Sequence, residues 1–332
     1  MSEAAERKSF QPIDAELLPR LDPEYVEYHN NLLQYFPPFD VIPWDASYRH
    51  QELPGGSKPL DVAEIKDYDL THTKVRAFTP NGTKPEKGWP VLIYFHAGGW
   101  TLGDINSEKS FITNMAEHAK CVVVNVDYRL GPEIPYPAAV EDTVESLYWV
   151  LKNGKTELNV DTTRIAVGGT SAGGNLAMAL THKAAELNIP LTFQLHVVPT
   201  VDSTASASDK YASWTENKNA AFTTPALMAW FKNNYLPNKE DWEKWEVSPI
   251  NAPHDLFKKA PPAWIGVAEL DVLRDEGLAY AEKLRKNGVK AETKVYGGMP
   301  HYFTPLDGET LKKGAECVSD AAAALAKAFG TA

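Results

Sequence analysis

Short apolar runs separated by stretches with helical spacing recur between residues 90 and 330. Such runs are typical of strands buried on both faces of a parallel sheet. They predict strands at 91–95, 121–126, 165–167, 193–198, 263–267 and 292–296. Helices are predicted near 111–119, 141–151, 172–180, 276–286 and 311–329. This alternation predicts an α/β protein with a mostly parallel, doubly wound sheet and helices on both faces.

Two regions depart from the alternation. Residues 1–55 are rich in proline, tyrosine and acidic residues, and leucines and tyrosines from Leu17 to Leu32 recur at helical spacing. One or two amphipathic helices are expected there. The stretch 199–247 carries eight aromatic residues and no strand pattern, which favours a helical lid over a site. Between these regions, 65–70 and 74–78 are predicted to be antiparallel strands at a sheet edge.

Charge and cysteine content narrow the classes of function. The net charge is −11 and no block of lysine or arginine occurs, so nucleic acid and anionic membranes are not expected partners. Only two cysteines are present and no secretory signal is recognised in residues 1–20. A soluble, cytoplasmic protein without a disulfide framework is therefore expected. Nothing in the sequence predicts a cofactor or a metal site.

The stretch Gly169-Thr170-Ser171-Ala172-Gly173 lies between a predicted strand and a predicted helix. A Gly-x-Ser-x-Gly pattern in this context is typical of a nucleophile elbow, whose sharp turn exposes the serine at a helix N-terminus. Small neighbours let the helix pass close to the strand. The alternative interpretation of Ser171 is an ordinary helix N-cap.

A serine nucleophile needs a base and an acid, which follow it along the chain in proteins with such an elbow. His182, His196, His254 and His301 follow Ser171. His301 comes directly after the last predicted strand, and the carboxyl ends of parallel strands share one edge of the sheet, so His301 can meet Ser171 there. Asp271 follows the preceding strand and is the expected acid, with Glu269 as the alternative. Asp275 and Glu276 are attributed to capping of the next helix.

The stretch His96-Ala97-Gly98-Gly99-Trp100 follows the strand that ends at Phe95. Consecutive small residues allow backbone N–H groups to approach a ligand. Together with the N–H of Ala172, they are expected to bind an oxyanion.

These stretches together resemble the hormone-sensitive-lipase-like (family IV) carboxylesterases of the α/β-hydrolase superfamily. The resemblance covers residues 60–330. Its motifs are His96–Trp100, the stretch from Asp127 to Glu133, the Gly-Thr-Ser-Ala-Gly elbow, and Asp271-Val272-Leu273-Arg274-Asp275-Glu276. It implies the α/β-hydrolase fold with a helical cap.

The resemblance implies Ser171, Asp271 and His301 as the catalytic triad, and Gly98, Gly99 and Ala172 as the oxyanion donors. It also implies a cap made of residues 1–55 and 200–246 over a core made of 56–199 and 247–332. Candidate substrate contacts are Trp100, Trp214 and Tyr302. Ala97 stands where the family has the first glycine of the oxyanion motif, which puts the local turn geometry in question.

The expected function is hydrolysis of short- to medium-chain carboxylic esters through an acyl-enzyme, with water as second substrate and no cofactor. A homodimer is a further implication of the resemblance. Two alternatives stay open at this point. One is a catalytically silent small-molecule binding protein of the same fold. The other is a hydrolase or acyltransferase acting on an amide, a lactone or a specialised ester.

Overall fold

One eight-stranded sheet forms the centre of the computed structural model, which describes residues 7–51, 54–206, 210–308 and 310–332. The strands are β1 (Glu64–Asp69), β2 (Lys74–Thr79), β3 (Trp89–Phe95), β4 (Val122–Val126), β5 (Val160–Thr170), β6 (Phe193–Val197), β7 (Ala263–Ala268) and β8 (Ala291–Tyr296). Their order across the sheet is β1-β2-β4-β3-β5-β6-β7-β8. The pairs β1–β2 and β2–β4 are antiparallel, and the remaining pairs are parallel. The predicted mostly parallel sheet is confirmed.

Helices cover both faces of this sheet. They are α1 (Pro23–Asn31), α2 (Lys109–Ala119), α3 (Ala138–Asn153), α4 (Ala172–Glu186), α5 (Ala212–Glu216), α6 (Pro225–Tyr235), α7 (His254–Lys259), α8 (Arg274–Lys286) and α9 (Lys312–Phe329). Successive side chains of β3 point to opposite faces. Leu92 therefore packs in the core shared with α2 and α9, whereas Ile93 packs in the core shared with α3 and α4.

Among the helices of the described ranges, none combines the length and apolar character needed to cross a bilayer.

The predicted amphipathic helix in residues 1–55 begins later than the leucine spacing indicated. Helix α1 starts at Pro23, and the carboxylate of Asp22 caps it by accepting the N–H of Glu24 at 3.0 Å. Leu17 and Leu21 are buried but lie in turns before it. Proline at the first helical position suits a helix start, which explains the boundary. Of the two predicted cap segments, residues 1–6, 52–53 and 207–209 lie outside the described residues.

Strand β5 is longer than the apolar run that predicted it. Residues 165–167 form its buried centre, but the strand already begins at Val160. Residues 161–164 are half-buried or exposed and mostly polar, so they lack the apolar signal of a central strand. The carboxyl end of β5 is fully buried and leads directly into the predicted elbow.

Two histidines buried between α4, β6 and α8 make the stability of the fold depend on pH. His182 and His196 are fully buried, and burial lowers the pKa of each imidazole to about 3. The folded state therefore binds fewer protons than the unfolded state, in which histidine has a pKa near 6.5. This stability is present above about pH 6.5 and is lost as the pH falls, by about 2 kcal/mol for each histidine at pH 5.

We expect His182→Gln to reduce the change in the free energy of unfolding between pH 7 and pH 5. Urea unfolding at both pH values measures that change. His254→Gln is the matched control, because His254 is exposed at the start of α7. A pH dependence of His182→Gln equal to that of the unmutated chain would contradict a neutral, buried His182.

Candidate active site

The elbow is a single strained residue between β5 and α4. Ser171 has φ 54° and ψ −116°, a conformation that costs a non-glycine residue about 1–3 kcal/mol and persists only where its surroundings impose it. Its N–H donates to the carbonyl of Val197 at 2.8 Å, and its carbonyl accepts the N–H of Thr200 at 3.2 Å. Its side chain makes no capping hydrogen bond to α4. Ser171 is therefore not an ordinary N-cap, and its hydroxyl is available to another partner.

The glycine two residues after the serine is required by close packing. A Cβ on Gly173 would lie 1.9 Å from the carbonyl oxygen of Phe95, at the end of β3. No side chain fits there, so only glycine lets the first turn of α4 cross the end of that strand. The same contact brings the elbow beside the loop that follows β3.

His301 joins Ser171 to Asp271. Its Nε2 lies 2.9 Å from the hydroxyl oxygen of Ser171, and its Nδ1 lies 2.7 Å from a carboxylate oxygen of Asp271. With Nδ1–H donating to the carboxylate, Nε2 is left to accept the serine hydroxyl. Asp271 is fully buried, and its other carboxylate oxygen accepts the N–H of Leu273 at 3.0 Å. This arrangement can transfer a proton from Ser171 and hold the resulting imidazolium.

The other candidate bases and acids lie in different surroundings. His182 and His196 are buried between helices and sheet, and His254 is exposed on α7. The carboxylate of Glu269 accepts the N–H of Gly298 at 2.7 Å, in the loop that precedes His301. The structure thus brings Ser171, Asp271 and His301 together and leaves Glu269 as a support of the histidine loop.

The loop after β3 presents backbone amides beside the elbow. Gly98 and Gly99 have φ 125° and 59°, and the carbonyl of Gly98 accepts the N–H groups of Thr101 and Leu102 at 3.0 and 2.7 Å. Within the described ranges, the N–H groups of Gly98, Gly99 and Ala172 donate to no other protein group. Three free amides next to a serine hydroxyl are suited to bind a negatively charged oxygen.

Phe231 of α6 packs directly on this loop. A Cβ on Gly99 would lie 2.1 Å from the Phe231 ring, so the ring covers the glycine backbone. The neighbouring Trp230 stacks on Phe39, with ring centroids 6.2 Å apart, and its ring centroid lies 5.8 Å from that of Trp44. The aromatic content of the 199–247 stretch indicated a lid, but no local pattern distinguished Phe231 from the other aromatic residues.

The candidate substrate contacts occupy different places. Trp100 is buried and stacks on Tyr235, and the indole N–H of Trp214 donates to Glu276 at 2.7 Å. Both tryptophans border a cleft of about 10 Å³, which also has Lys232 of α6 in its wall. Tyr302 follows His301 and packs on Phe222, with ring centroids 4.8 Å apart. Trp100 and Trp214 thus border the same cleft, whereas Tyr302, next to His301, is not among the residues that line it.

The expectation that Glu276 caps the start of α8 was wrong, because its carboxylate binds other segments of the chain. Its buried carboxylate accepts the N–H groups of Val201 and Asp202, each at 2.9 Å, as well as the indole of Trp214. Burial raises the pKa of Glu276 to about 8, and these three donors act in the opposite direction. Glu276 therefore ties the loop after β6 and α5 to α8. The carboxylate of Asp275 likewise accepts the N–H of Ser213 on α5 at 2.8 Å.

Glu108 is a second carboxylate that sequence reasoning did not single out. It stands directly before α2, and one carboxylate oxygen accepts the N–H of Ala97 at 2.8 Å. Its position at a helix start gave no signal, because acids are common there. Over the described part of the chain, no cluster of three or more histidine, cysteine or acidic residues is placed to hold a metal ion.

Comparisons with known proteins show which family this chain is similar to. Residues 92–305 match the family model described as alpha/beta hydrolase fold. The chain is 43% identical to an AB hydrolase superfamily protein of Schizosaccharomyces pombe, over 96% of this chain and 97% of that protein. It is 37% identical to carboxylesterase NlhH of Mycobacterium tuberculosis, over 71% of this chain and 73% of that protein. A solved alpha/beta hydrolase enzyme from the metagenome of Lake Arreo, Spain, superposes with a TM-score of 0.84 at 29% identity, covering 94% of this chain and 100% of that one.

Proposed function

Because the chain belongs to the alpha/beta hydrolase fold family, among its hormone-sensitive-lipase-like carboxylesterases, it is a hydrolase acting on esters, and we propose that it cleaves short- to medium-chain carboxylic esters through an acyl-enzyme. The observation that carries the proposal is the Ser171–His301–Asp271 hydrogen-bonded series beside three free amides. Assignment of the elbow to the Gly-Thr-Ser-Ala-Gly variant stays a prediction.

In the proposed first half-reaction, His301 Nε2 takes the hydroxyl proton of Ser171 while the serine oxygen attacks the ester carbonyl carbon. The N–H groups of Gly98, Gly99 and Ala172 stabilise the oxyanion that forms. His301 then gives its proton to the leaving alcohol as the ester C–O bond breaks. The acyl group remains bonded to Ser171.

In the second half-reaction, His301 takes a proton from water, and the resulting hydroxide attacks the acyl carbon. Collapse of the second tetrahedral intermediate releases the carboxylic acid and returns the proton to Ser171. Asp271 fixes the tautomer of His301 and stabilises the imidazolium in both half-reactions. No cofactor is required by these steps.

We further propose that residues 1–55 and 200–246 act together as the cap. Phe231 on Gly99 and Trp230 against Phe39 and Trp44 support this division, because they connect both segments to the oxyanion loop. Arg49 adds a direct link, since its Nε donates to the carbonyl of Thr101 at 3.0 Å. A homodimer stays a prediction of the family resemblance.

The narrow space near the elbow favours small acyl groups over large ones. The cleft between Trp100, Trp214 and Met228 has a volume of about 10 Å³, and Thr200, Asp202 and Lys232 contribute polar atoms to its wall. That volume is about the size of one water molecule. Any acyl group that enters the cleft must therefore move part of its wall aside, and a longer chain must move more of it.

We expect a panel of p-nitrophenyl esters from acetate to palmitate to show the highest kcat/KM on a short- or medium-chain ester and a lower value on palmitate. Longer chains should lose activity because more of the cleft wall must move aside to admit them. Initial rates below the critical micelle concentration of each ester measure this order. Highest kcat/KM on palmitate would contradict the proposed chain-length range.

Covalent labelling separates an enzyme from a silent binding protein. A fluorophosphonate probe should label the chain once, and peptide mass spectrometry should place the label on Ser171. The reaction requires an activated hydroxyl, which a binding protein of the same fold does not need. Absence of labelling together with absence of ester hydrolysis would contradict the proposed activity.

A further inference from the structure

Glu108 has an unusual backbone conformation beside the oxyanion loop. Its φ is 57° and its ψ is 29°, in the left-handed region that non-glycine residues seldom adopt. Its half-buried carboxylate accepts the N–H of Ala97 at 2.8 Å and the hydroxyl of Tyr94 at 3.2 Å, both on the same oxygen. The conformation therefore places a carboxylate against Ala97, the residue before Gly98 in the oxyanion loop.

A second hydrogen bond of the Tyr94 hydroxyl connects Glu108 to the strand that leads to Ser171. The hydroxyl of Tyr94 lies 2.8 Å from the hydroxyl of Thr170, and Thr170 is the residue before Ser171. Tyr94 and Thr170 are both buried, at 0% and 3% exposure, so water does not compete for these bonds. One carboxylate thus links the oxyanion loop, through β3, to the end of β5.

We propose that Glu108 is a positioning residue, which sets the oxyanion loop relative to Ser171 by holding the Ala97 amide together with Tyr94 and Thr170. The inference rests on the proposed ester hydrolysis. It adds Glu108 to the residues that determine how well the oxyanion of the transition state is stabilised. The peptide between His96 and Ala97 directly precedes the two glycine amides, so its orientation controls where they point. On the other side of that peptide, the hydroxyl of Tyr128 donates to the carbonyl of His96 at 2.8 Å.

The ionisable groups that face Glu108 are neutral near pH 7. Burial raises the pKa of Tyr94 and of Tyr128 well above its usual value, and burial lowers the pKa of His96 to about 4. Burial also raises the pKa of Glu108 to about 7, with the Ala97 amide acting against that shift. Glu108 therefore acts on the loop through its hydrogen bonds to Ala97 and Tyr94, with no charged tyrosine or histidine opposing it.

The test compares Glu108→Ala with Glu108→Gln, using purified full-length chain and p-nitrophenyl butyrate. Glu108→Ala leaves the Ala97 amide without its acceptor, and we expect kcat to fall about 10–100-fold with KM changed less than about threefold, as for a small misplacement of reacting groups. Glu108→Gln keeps an oxygen acceptor for the Ala97 N–H and should recover most of kcat. The rate of inactivation by a neutral phosphonate, whose adduct fills the oxyanion site, should fall in parallel with kcat.

Glu117→Ala is the matched control. Glu117 also accepts a backbone N–H, that of Asn81 at 2.6 Å, but it lies near the opposite end of α2 from Glu108. A normal kcat in Glu108→Ala, or an equal loss of kcat in Glu117→Ala, would overturn the inference. An increase of KM alone would do the same.

Folding of the variants and the proposed activity are measured separately. Should Glu108→Ala fail to fold, Tyr94→Phe tests the same link, since it removes the hydroxyl that bonds to both Glu108 and Thr170 and leaves Ala97 bonded. Unchanged kcat in that variant would overturn the inference. Hydrolysis and fluorophosphonate labelling of the unmutated chain report on the proposed function. If the unmutated chain is active and the Glu108 and Tyr94 variants keep the same kcat, only the positioning role is overturned.

Discussion

Replacing Ser171 by alanine is expected to lower kcat for ester hydrolysis by about 10⁶-fold, the loss found when a triad nucleophile is removed. Without the hydroxyl, no acyl-enzyme forms, and His301 has no proton to accept across the 2.9 Å contact. The three free amides can still bind the substrate carbonyl, so substrate affinity should change little. The residual rate over water would come from the oxyanion donors alone.

The variant should remain folded, because the Ser171 side chain makes no capping bond to α4 and its backbone contacts to Val197 and Thr200 are unchanged. Circular dichroism and kcat measured on the same preparation separate folding from chemistry. Ser146→Ala is the matched control, since Ser146 is a fully buried serine on α3 whose hydroxyl donates to the carbonyl of Thr143 at 2.7 Å. Turnover of Ser171→Ala within tenfold of the unmutated chain would reject Ser171 as the nucleophile.

The parts of the fold that were predictable are those in which local sequence and burial agree. Strands β3 and β4 are buried along their whole length, so their apolar runs gave their positions. Residues 161–164 of β5 are half-buried or exposed and polar, and they lie at an irregularity between the pairs Trp89–Val160 and Val91–Ile165, so no local pattern marks them as strand. Similarly, the leucines at 17 and 21 are buried by tertiary contacts outside any helix, which spacing alone could not distinguish.

The elbow could be anticipated because its requirements are local. Gly173 must lack a side chain where α4 passes Phe95, and that demand falls on one position of a short motif. The choice between Asp271 and Glu269 could not be settled by spacing, because both follow β7 within a few residues. It depends on which carboxylate faces the ring of His301, and that is a matter of the loop geometry.

The buried carboxylates could not be anticipated in the same way. Glu108 bonds to Ala97, and Glu276 bonds to residues 201, 202 and 214. The partners of Glu276 lie more than 60 residues away along the chain. In the sequence both carboxylates have the pattern of acids at helix starts, and only the three-dimensional structure shows that they join loops around the site.

Replacing Asp271 by asparagine is expected to lower kcat by about 10⁴-fold, with a smaller effect on KM. The carboxylate of Asp271 accepts two N–H groups, from His301 Nδ1 at 2.7 Å and from Leu273 at 3.0 Å. An asparagine has one acceptor oxygen, so when that oxygen accepts from Leu273, its NH₂ group faces His301. The imidazole then carries its proton on Nε2 and cannot accept the proton of Ser171, which is the physical origin of a loss of this size.

Glu269→Gln is the matched control for this change, because the amide oxygen of glutamine can still accept the N–H of Gly298 and hold the loop before His301. We expect that variant to lose less than about tenfold in kcat, since it leaves the tautomer of His301 unaffected. Steady-state kinetics on p-nitrophenyl butyrate, with thermal unfolding of each variant as the check of folding, distinguish the two carboxylates. A larger loss in Glu269→Gln than in Asp271→Asn would assign the acid to Glu269, because the position that sets the imidazole tautomer must be the more sensitive one.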